Sequence, residues 1–158
     1  MGSKISKIEY EFPKNRVSNS QLAQEFPDYD FGSFEKKIGI KNRYIADENE
    51  TSISLGVSAA QKLFHKHSIN VNEIDFVIFC SQTHDYILPQ SSTIIQDKLN
   101  LRNDIGTIDI NHGCSGYIYG LSLAKSLINS ENIKKILFIT SDTYSKYIHQ
   151  KDRSLRSI

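Results

Sequence analysis

Phe76-Val77-Ile78-Phe79-Cys80 is a run of five apolar residues, framed by Glu73-Ile74-Asp75 before it and Ser81-Gln82-Thr83 after it. A strand with one wet face alternates in polarity. An unbroken apolar run of this length between polar turns belongs to a strand covered on both faces, as in parallel sheets. The flanking segments agree. Thr51 is placed to cap a helix that runs to about His67, with Ile53, Val57, Ala60 and Phe64 at helical spacing. Ser91 to Leu99 reads as a helix with Ile94, Ile95 and Leu99 inward. Gly106 to Ile110 reads as a short strand, Cys114 to Asn129 as a helix and Lys135 to Ser141 as another buried strand. Strands and helices alternating through short links imply crossover connections. The expectation is an α/β fold, a mostly parallel sheet with helices on both faces.

The N-terminal third is less regular. Ile5, Ile8, Tyr10 and Phe12 alternate well enough to predict a strand over Ile5 to Phe12, stopped by Pro13. Ser18-Asn19-Ser20 reads as the cap of a short helix, Gln21 to Glu25. Residues Pro27 to Gly39 read as loop.

Composition narrows the class. The 158 residues include 39% hydrophobic and 23% charged ones, with a formal net charge of +1. The length suggests one domain. The charge balance gives no argument for nucleic acid or a membrane surface as partner. The apolar runs fall far short of the ~20 residues that span a bilayer. Met1 to Lys7 has no apolar core of a signal peptide, so a cytoplasmic protein is expected.

Chemistry concentrates in Asp109-Ile110-Asn111-His112-Gly113-Cys114-Ser115-Gly116, where a strand turns into a helix. Gly113 and Gly116 flank the thiol and permit a tight turn and close approach. A cysteine in the first helical turn lies at the positive end of the macrodipole, which favours thiolate and nucleophilicity. Free cysteines are also among the most commonly buried and inert residues, and local physics leaves the two readings about even. Cys80, at the end of a buried strand, reads as a core thiol. Two cysteines so far apart form no zinc motif, so no metal is expected. His112, two residues from Cys114, is too near in sequence to align readily as its general base. His65 and His67 share a helix end, His84 lies in a loop before Asp85-Tyr86, and His149 lies in a polar stretch.

The segment Asn111 to Gly116, with Tyr117, Tyr119-Gly120-Leu121 and Ala124 after it, resembles the nucleophile segment of the β-ketoacyl-acyl-carrier-protein synthase III family, of the thiolase superfamily. Other pieces match in order. Gly39-Ile40-Lys41-Asn42-Arg43-Tyr44-Ile45-Ala46, then Glu50-Thr51, resembles an early family segment. Leu88-Pro89 with Ser92, Gln96 and Leu99 resembles its Phe-Pro-Ser helix. Lys135 to Asp142 and Asp152-Arg153 resemble the strand and loop after the nucleophile helix. The resemblance covers about Pro13 to Arg153.

The resemblance implies a thiolase-like fold, with this chain as the N-terminal of two similar halves. It implies that Cys114 accepts the acyl group of an acyl-CoA and passes it to the carbanion of decarboxylated malonyl-acyl carrier protein, with no cofactor. A histidine and an asparagine in the C-terminal half would activate malonyl, and the 158-residue chain alone is expected not to condense. The partners implied are acyl-CoA, acyl carrier protein and a second copy in a homodimer, with no nucleic acid or membrane. Family members stack the CoA adenine between a tryptophan and an arginine. This chain has no Trp. Arg153 matches the arginine, and Phe34 or Tyr29 lies near the aromatic position. Lys37 stands where an arginine is usual, and Leu88 replaces the Phe that reaches the neighbouring subunit's acyl pocket. The competing functions are acyl transfer to an alcohol or amine by a superfamily relative, and a non-catalytic binding module.

Overall fold

A computed structural model describes residues 2–129 and 132–158. In chain order its elements are β1 (Asn15–Ser18), α1 (Asn19–Glu25), α2 (Phe31–Ile38), β2 (Asn42–Ile45), α3 (Ser52–His67), β3 (Phe76–Cys80), α4 (Ser91–Lys98), β4 (Gly106–Ile110), α5 (Gly116–Ile128), β5 (Ile136–Thr140) and α6 (Arg153–Arg156). They group into two compact units. One holds residues 2–11 and Thr51–Asp142, the other Phe12–Glu50 and Thr143–Ile158.

The first unit is the α/β layer. Its three strands are parallel in the order β4-β3-β5, with Phe76 opposite both Gly106 and Ile136. The apolar run is therefore central, and Val77, Ile78 and Phe79 are completely buried. Side chains alternate across the sheet. Val77, Phe79, Leu137 and Ile139 join Ile53, Val57 and Ala60 of α3 and Ile95 of α4 in the core. Each of these Val, Leu, Ile and Phe side chains removed from water contributes about 1.5–3 kcal/mol. Cys80 and Phe138 face the other way, toward α5. Helices thus cover both faces, as the sequence predicts.

α3 begins with a capping box. Thr51 Oγ1 accepts the Ser54 N–H at 3.1 Å and Ser54 Oγ accepts the Thr51 N–H at 2.8 Å. α4 begins without a side-chain cap of its own. Asp109 of β4 supplies one, its two oxygens accepting the Ser91 and Ser92 N–H groups at 2.7 and 2.8 Å.

Two expectations in this unit are corrected. Residues Ile5 to Phe12 form no strand. Ile5, Ile8, Tyr10 and Phe12 are all more than half exposed, since no neighbouring ladder among the described residues pairs with them. Glu9 instead holds Lys66 at 2.6 Å and His67 at 3.3 Å on α3, and Glu11 holds Lys62 at 2.7 Å. The second correction concerns α5. It starts at Gly116, not Cys114, and its buried residues are Gly116 and Gly120, while Ile118 is 66% exposed. The helix lays its glycine stripe on the sheet because the Phe138 ring fills the space where a Gly120 side chain would be. Tyr117 stacks on the same Phe138 ring, with centroids 5.8 Å apart, while Ile118 is turned off that face.

The second unit carries a two-stranded antiparallel ladder, with Asn15 opposite Ile45 and Ser18 opposite Asn42. Ser18 caps α1, and its backbone N–H donates to Gln21 Oε1 at 2.8 Å. Pro27 to Gly39, expected as loop, contains α2. Asp30 caps it by accepting the Ser33 N–H at 3.0 Å, and Gly39 ends it at φ 83°, a left-handed conformation suited to glycine. The Arg43 side chain is 8% exposed, and its guanidinium donates to Asn19 Oδ1 at 2.8 Å and to the Ser157 carbonyl at 2.5 Å. Burial lowers its pKa from the ordinary arginine value.

Candidate active site

β4 delivers the chain to a tight turn. The Gly116 N–H donates to the Gly113 carbonyl at 2.8 Å, and Cys114 is exposed within that turn. The cysteine thus lies two residues before α5 rather than in its first turn. α5 has no acidic residue in its first turn, and Ser115 makes no side-chain cap. The positive end of the helix macrodipole is therefore left unneutralised beside the thiol. An exposed thiol there suits attack on an electrophilic carbon.

The turn is fixed from behind. The Cys80 thiol donates to the His112 carbonyl at 3.6 Å. Burial pushes the Cys80 thiol above the ordinary cysteine pKa, and the Asp142 charge adds to this. A side chain on Gly116 would collide with Cys80 Sγ, and one on Gly113 would come within 3.1 Å of the Gln82 amide group. Gln82, which the sequence does not single out, thereby walls the turn. Its loop is held by Asp142, whose Oδ1 accepts the Gln82 N–H at 2.7 Å and the Ser81 and Thr83 hydroxyls at 3.1 Å each.

His84 is not part of this turn. Its Nδ1 lies 3.0 Å from Ser91 Oγ and 3.5 Å from Asp109 Oδ2, at the start of α4. Leu88 precedes Pro89 through a cis peptide bond and is 78% exposed, beside Ile87 at 97%.

The remaining expected site residues belong to the second unit. The Arg153 guanidinium sits 4.4 Å over the Tyr29 ring. Phe34 instead packs near Tyr29 and Phe31, at ring-centroid distances of 6.1 and 6.3 Å. Of the two aromatic candidates, Tyr29 is the one that meets the arginine. Lys37 is exposed in the last turn of α2. An open cleft of about 670 Å³ is lined by Glu25, Phe26, Tyr29, His149, Asp152 and Arg153, among others, and Phe34 and Lys37 are not among its lining residues. Among the described residues no group of three or more His, Cys, Asp or Glu is placed to hold a metal. Among them, too, no helix is long and apolar enough to cross a membrane.

The chain has a parallel β-α layer that presents a glycine-flanked cysteine at a strand-to-helix turn, and the solved structures it superimposes on give it a thiolase-like fold. Residues 108–158 match the sequence profile of 3-oxoacyl-[acyl-carrier-protein] synthase III. Across 152 residues the chain is 36% identical to the β-ketoacyl-[acyl-carrier-protein] synthase III of Neisseria gonorrhoeae, covering 96% of this chain and 47% of that protein. The Clostridium perfringens enzyme of the same name is 38% identical over 141 residues, 89% of this chain and 43% of that protein. A crystal structure of a 3-oxoacyl-(acyl-carrier-protein) synthase III superimposes with a TM-score of 0.93 and 42% identity, over 98% of this chain and 46% of that one. A 3-oxoacyl-(acyl-carrier protein) synthase from Burkholderia xenovorans gives 0.85 and 33%, over 94% of this chain and 44% of that one. By sequence and by fold the chain is similar to the 3-oxoacyl-[acyl-carrier-protein] synthase III proteins over nearly its whole length. It spans about half the length of the curated relatives it matches.

Proposed function

We propose that this chain carries the acyl-accepting half-reaction of a β-ketoacyl-acyl-carrier-protein synthase III, with Cys114 as the nucleophile. The observation that carries the reading is the exposed Cys114 in its glycine-flanked turn, before a helix whose N-terminus holds no acid and no side-chain cap. The Cys114 thiolate attacks the carbonyl carbon of an acyl-CoA. The tetrahedral oxyanion is stabilised by backbone N–H groups at the turn. The carbon–sulfur bond to CoA breaks, CoA leaves as thiolate and takes a proton from solvent, and an acyl-cysteine remains. Condensation then spends this thioester. Malonyl-acyl carrier protein loses CO₂, its carbanion attacks the acyl carbonyl, and the Cys114 thiolate departs as the β-ketoacyl product forms.

The same reading takes acyl-CoA and acyl carrier protein as partners of a cytoplasmic homodimer, with no further cofactor. For the donor, support comes from the Arg153–Tyr29 pair and its cleft, where a planar base finds an aromatic face and a cation. Lys37 would supply a point charge for a phosphate and Leu88 an apolar contact to the acyl chain. The test is intact-mass analysis of the full-length protein with acyl-CoA. The mass should rise by one acyl group and free CoA should appear. Cys114→Ala should do neither, and acylation that survives this substitution would overturn the assignment.

A further inference from the structure

Gln82 stands on a loop whose backbone is tied to the strand that delivers Cys114. The Ser81 N–H donates to the Ile110 carbonyl at the end of β4, at 3.1 Å. Ser52 Oγ donates to the Thr83 carbonyl at 2.8 Å, and the Gln82 N–H itself is held by Asp142. Ser81 and Thr83 are buried on either side, while Gln82 is exposed. Its carboxamide is nevertheless placed. Cδ, Oε1 and Nε2 lie 3.1, 3.1 and 3.2 Å from where a Gly113 Cβ would be, so the flat of the group rests on Gly113. Among the described residues only the Gln82 backbone N–H is hydrogen-bonded, and the carboxamide keeps its donors and acceptor unspent.

We infer that Gln82 selects the acyl group that Cys114 carries, favouring short chains and chains with a hydrogen-bonding group near the thioester over long unsubstituted ones. The inference rests on Cys114 being the nucleophile. Gly113 is joined directly to Cys114, so the carboxamide borders the residue next to the thiol. Over Gly116 the turn is closed, because Cys80 Sγ and His112 Cβ fill that space. Over Gly113 it ends in the exposed Gln82 side chain, and an acyl chain leaving the Cys114 sulfur runs along it. An acetyl group ends two atoms from the sulfur and leaves the carboxamide hydrated. A longer alkyl chain strips its water and returns no hydrogen bond, and an amide covered without a partner costs free energy. The backbone cannot retreat from the chain, because Asp142 and Ile110 hold it. A hydroxyl on the acyl chain restores the lost bond, since a carboxamide both donates and accepts.

The test is the rate of Cys114 acylation in the full-length protein, followed by intact mass with acetyl-, butyryl-, octanoyl- and β-hydroxybutyryl-CoA. The variant is Gln82→Met, which keeps the length and flexibility of the side chain and removes the amide. The octanoyl-to-acetyl rate ratio should rise about fivefold to a hundredfold, the span set by leaving a covered polar group unpaired. The β-hydroxybutyryl-to-butyryl ratio should fall by about threefold to tenfold, as one hydrogen bond is lost. Ratios are the readout because a turn that is merely loosened slows every donor alike. Either ratio left unchanged, with both proteins still acylated at Cys114, would overturn Gln82 as the selector and leave the nucleophile in place. Acylation absent from the unsubstituted protein, or persisting in Cys114→Ala, would overturn both.

Discussion

Cys80 and Gly116 are locked together: Cys80 Sγ occupies the space a Gly116 side chain would need, and His112 Cβ lies 2.9 Å from the same point. The Cys114 turn can therefore lie on the end of β3 only while residue 116 has no side chain. Gly116→Ala should lower stability by about 1–3 kcal/mol, the usual cost of overpacking, and slow Cys114 labelling as the turn lifts. Cys80→Ala in the same protein should recover part of the loss, because one of the two colliding groups is gone. Urea midpoints of the single and double variants measure this. Strict additivity would refute the contact.

This lock also shows what the sequence disclosed. The run Phe76 to Cys80 declared a doubly covered strand, and the central β3 of the parallel sheet is that strand, because period and composition there agreed with the tertiary surroundings. Thr51 and Ser18 declared their helices through capping chemistry. Alternation at Ile5 to Phe12 misled because a strand is a relation between two segments and one segment cannot report its partner. α2 was hidden by Pro27 and Gly32, although Asp30 and Gly39 marked its two ends. β1 and β2 are four-residue ladders with polar sequences, and their pairing leaves almost no pattern. At the site, Cys114 and the glycines around it were legible. Gln82 was not, since it reaches Gly113 only through a fold that juxtaposes residues 31 apart in sequence.

Asp109 ties the strand that delivers Cys114 to the helix packed against it. It accepts the Ser91 and Ser92 N–H groups at 2.7 and 2.8 Å. Asp109→Ala should cost about 1–3 kcal/mol, since two buried donors at the start of α4 lose their acceptor. Asp109→Asn retains one acceptor oxygen and should cost less. Thermal melts of the two variants check the order. A loss as large for Asn as for Ala would mean that charge rather than the second acceptor is decisive.

The N-terminal segment should detach in acid. The Lys66 ammonium bonded to Glu9 holds that carboxyl below the ordinary glutamate range, with His67 acting in the same direction. A carboxyl depressed in the folded state contributes stability above its unfolded pKa, about 4.3, and loses it as pH falls through the folded value. The protection of residues 3–11 against hydrogen exchange, taken relative to their intrinsic rates at each pH, should therefore fall below pH ~4 while β3 stays protected. Glu9→Gln should show the faster exchange already at neutral pH. Exchange in that variant matching the unsubstituted protein at pH 7 would remove Glu9 as the anchor.

Arg153 and Tyr29 make the sharpest claim about the donor. A guanidinium 4.4 Å over a phenol ring is a formed cation–π contact, and an adenine can replace either partner in it, stacking on Tyr29 or lying under the guanidinium. If the cleft takes the nucleotide end of CoA, Arg153→Ala should weaken CoA binding by roughly threefold to thirtyfold, the range for a cation–π contact from exposed to desolvated. The rate of Cys114 acylation at saturating acyl-CoA should stay unchanged, because Arg153 would contribute binding equally in ground and transition states. Arg153→Lys should recover little, as an ammonium keeps the charge but loses the planar face. Calorimetric titration with CoA and with pantetheine separates the ideas cleanly. Pantetheine lacks the nucleotide, so its affinity should not respond to Arg153→Ala. Equal weakening of both ligands would place Arg153 away from the nucleotide, and no weakening of either would take it out of donor binding altogether.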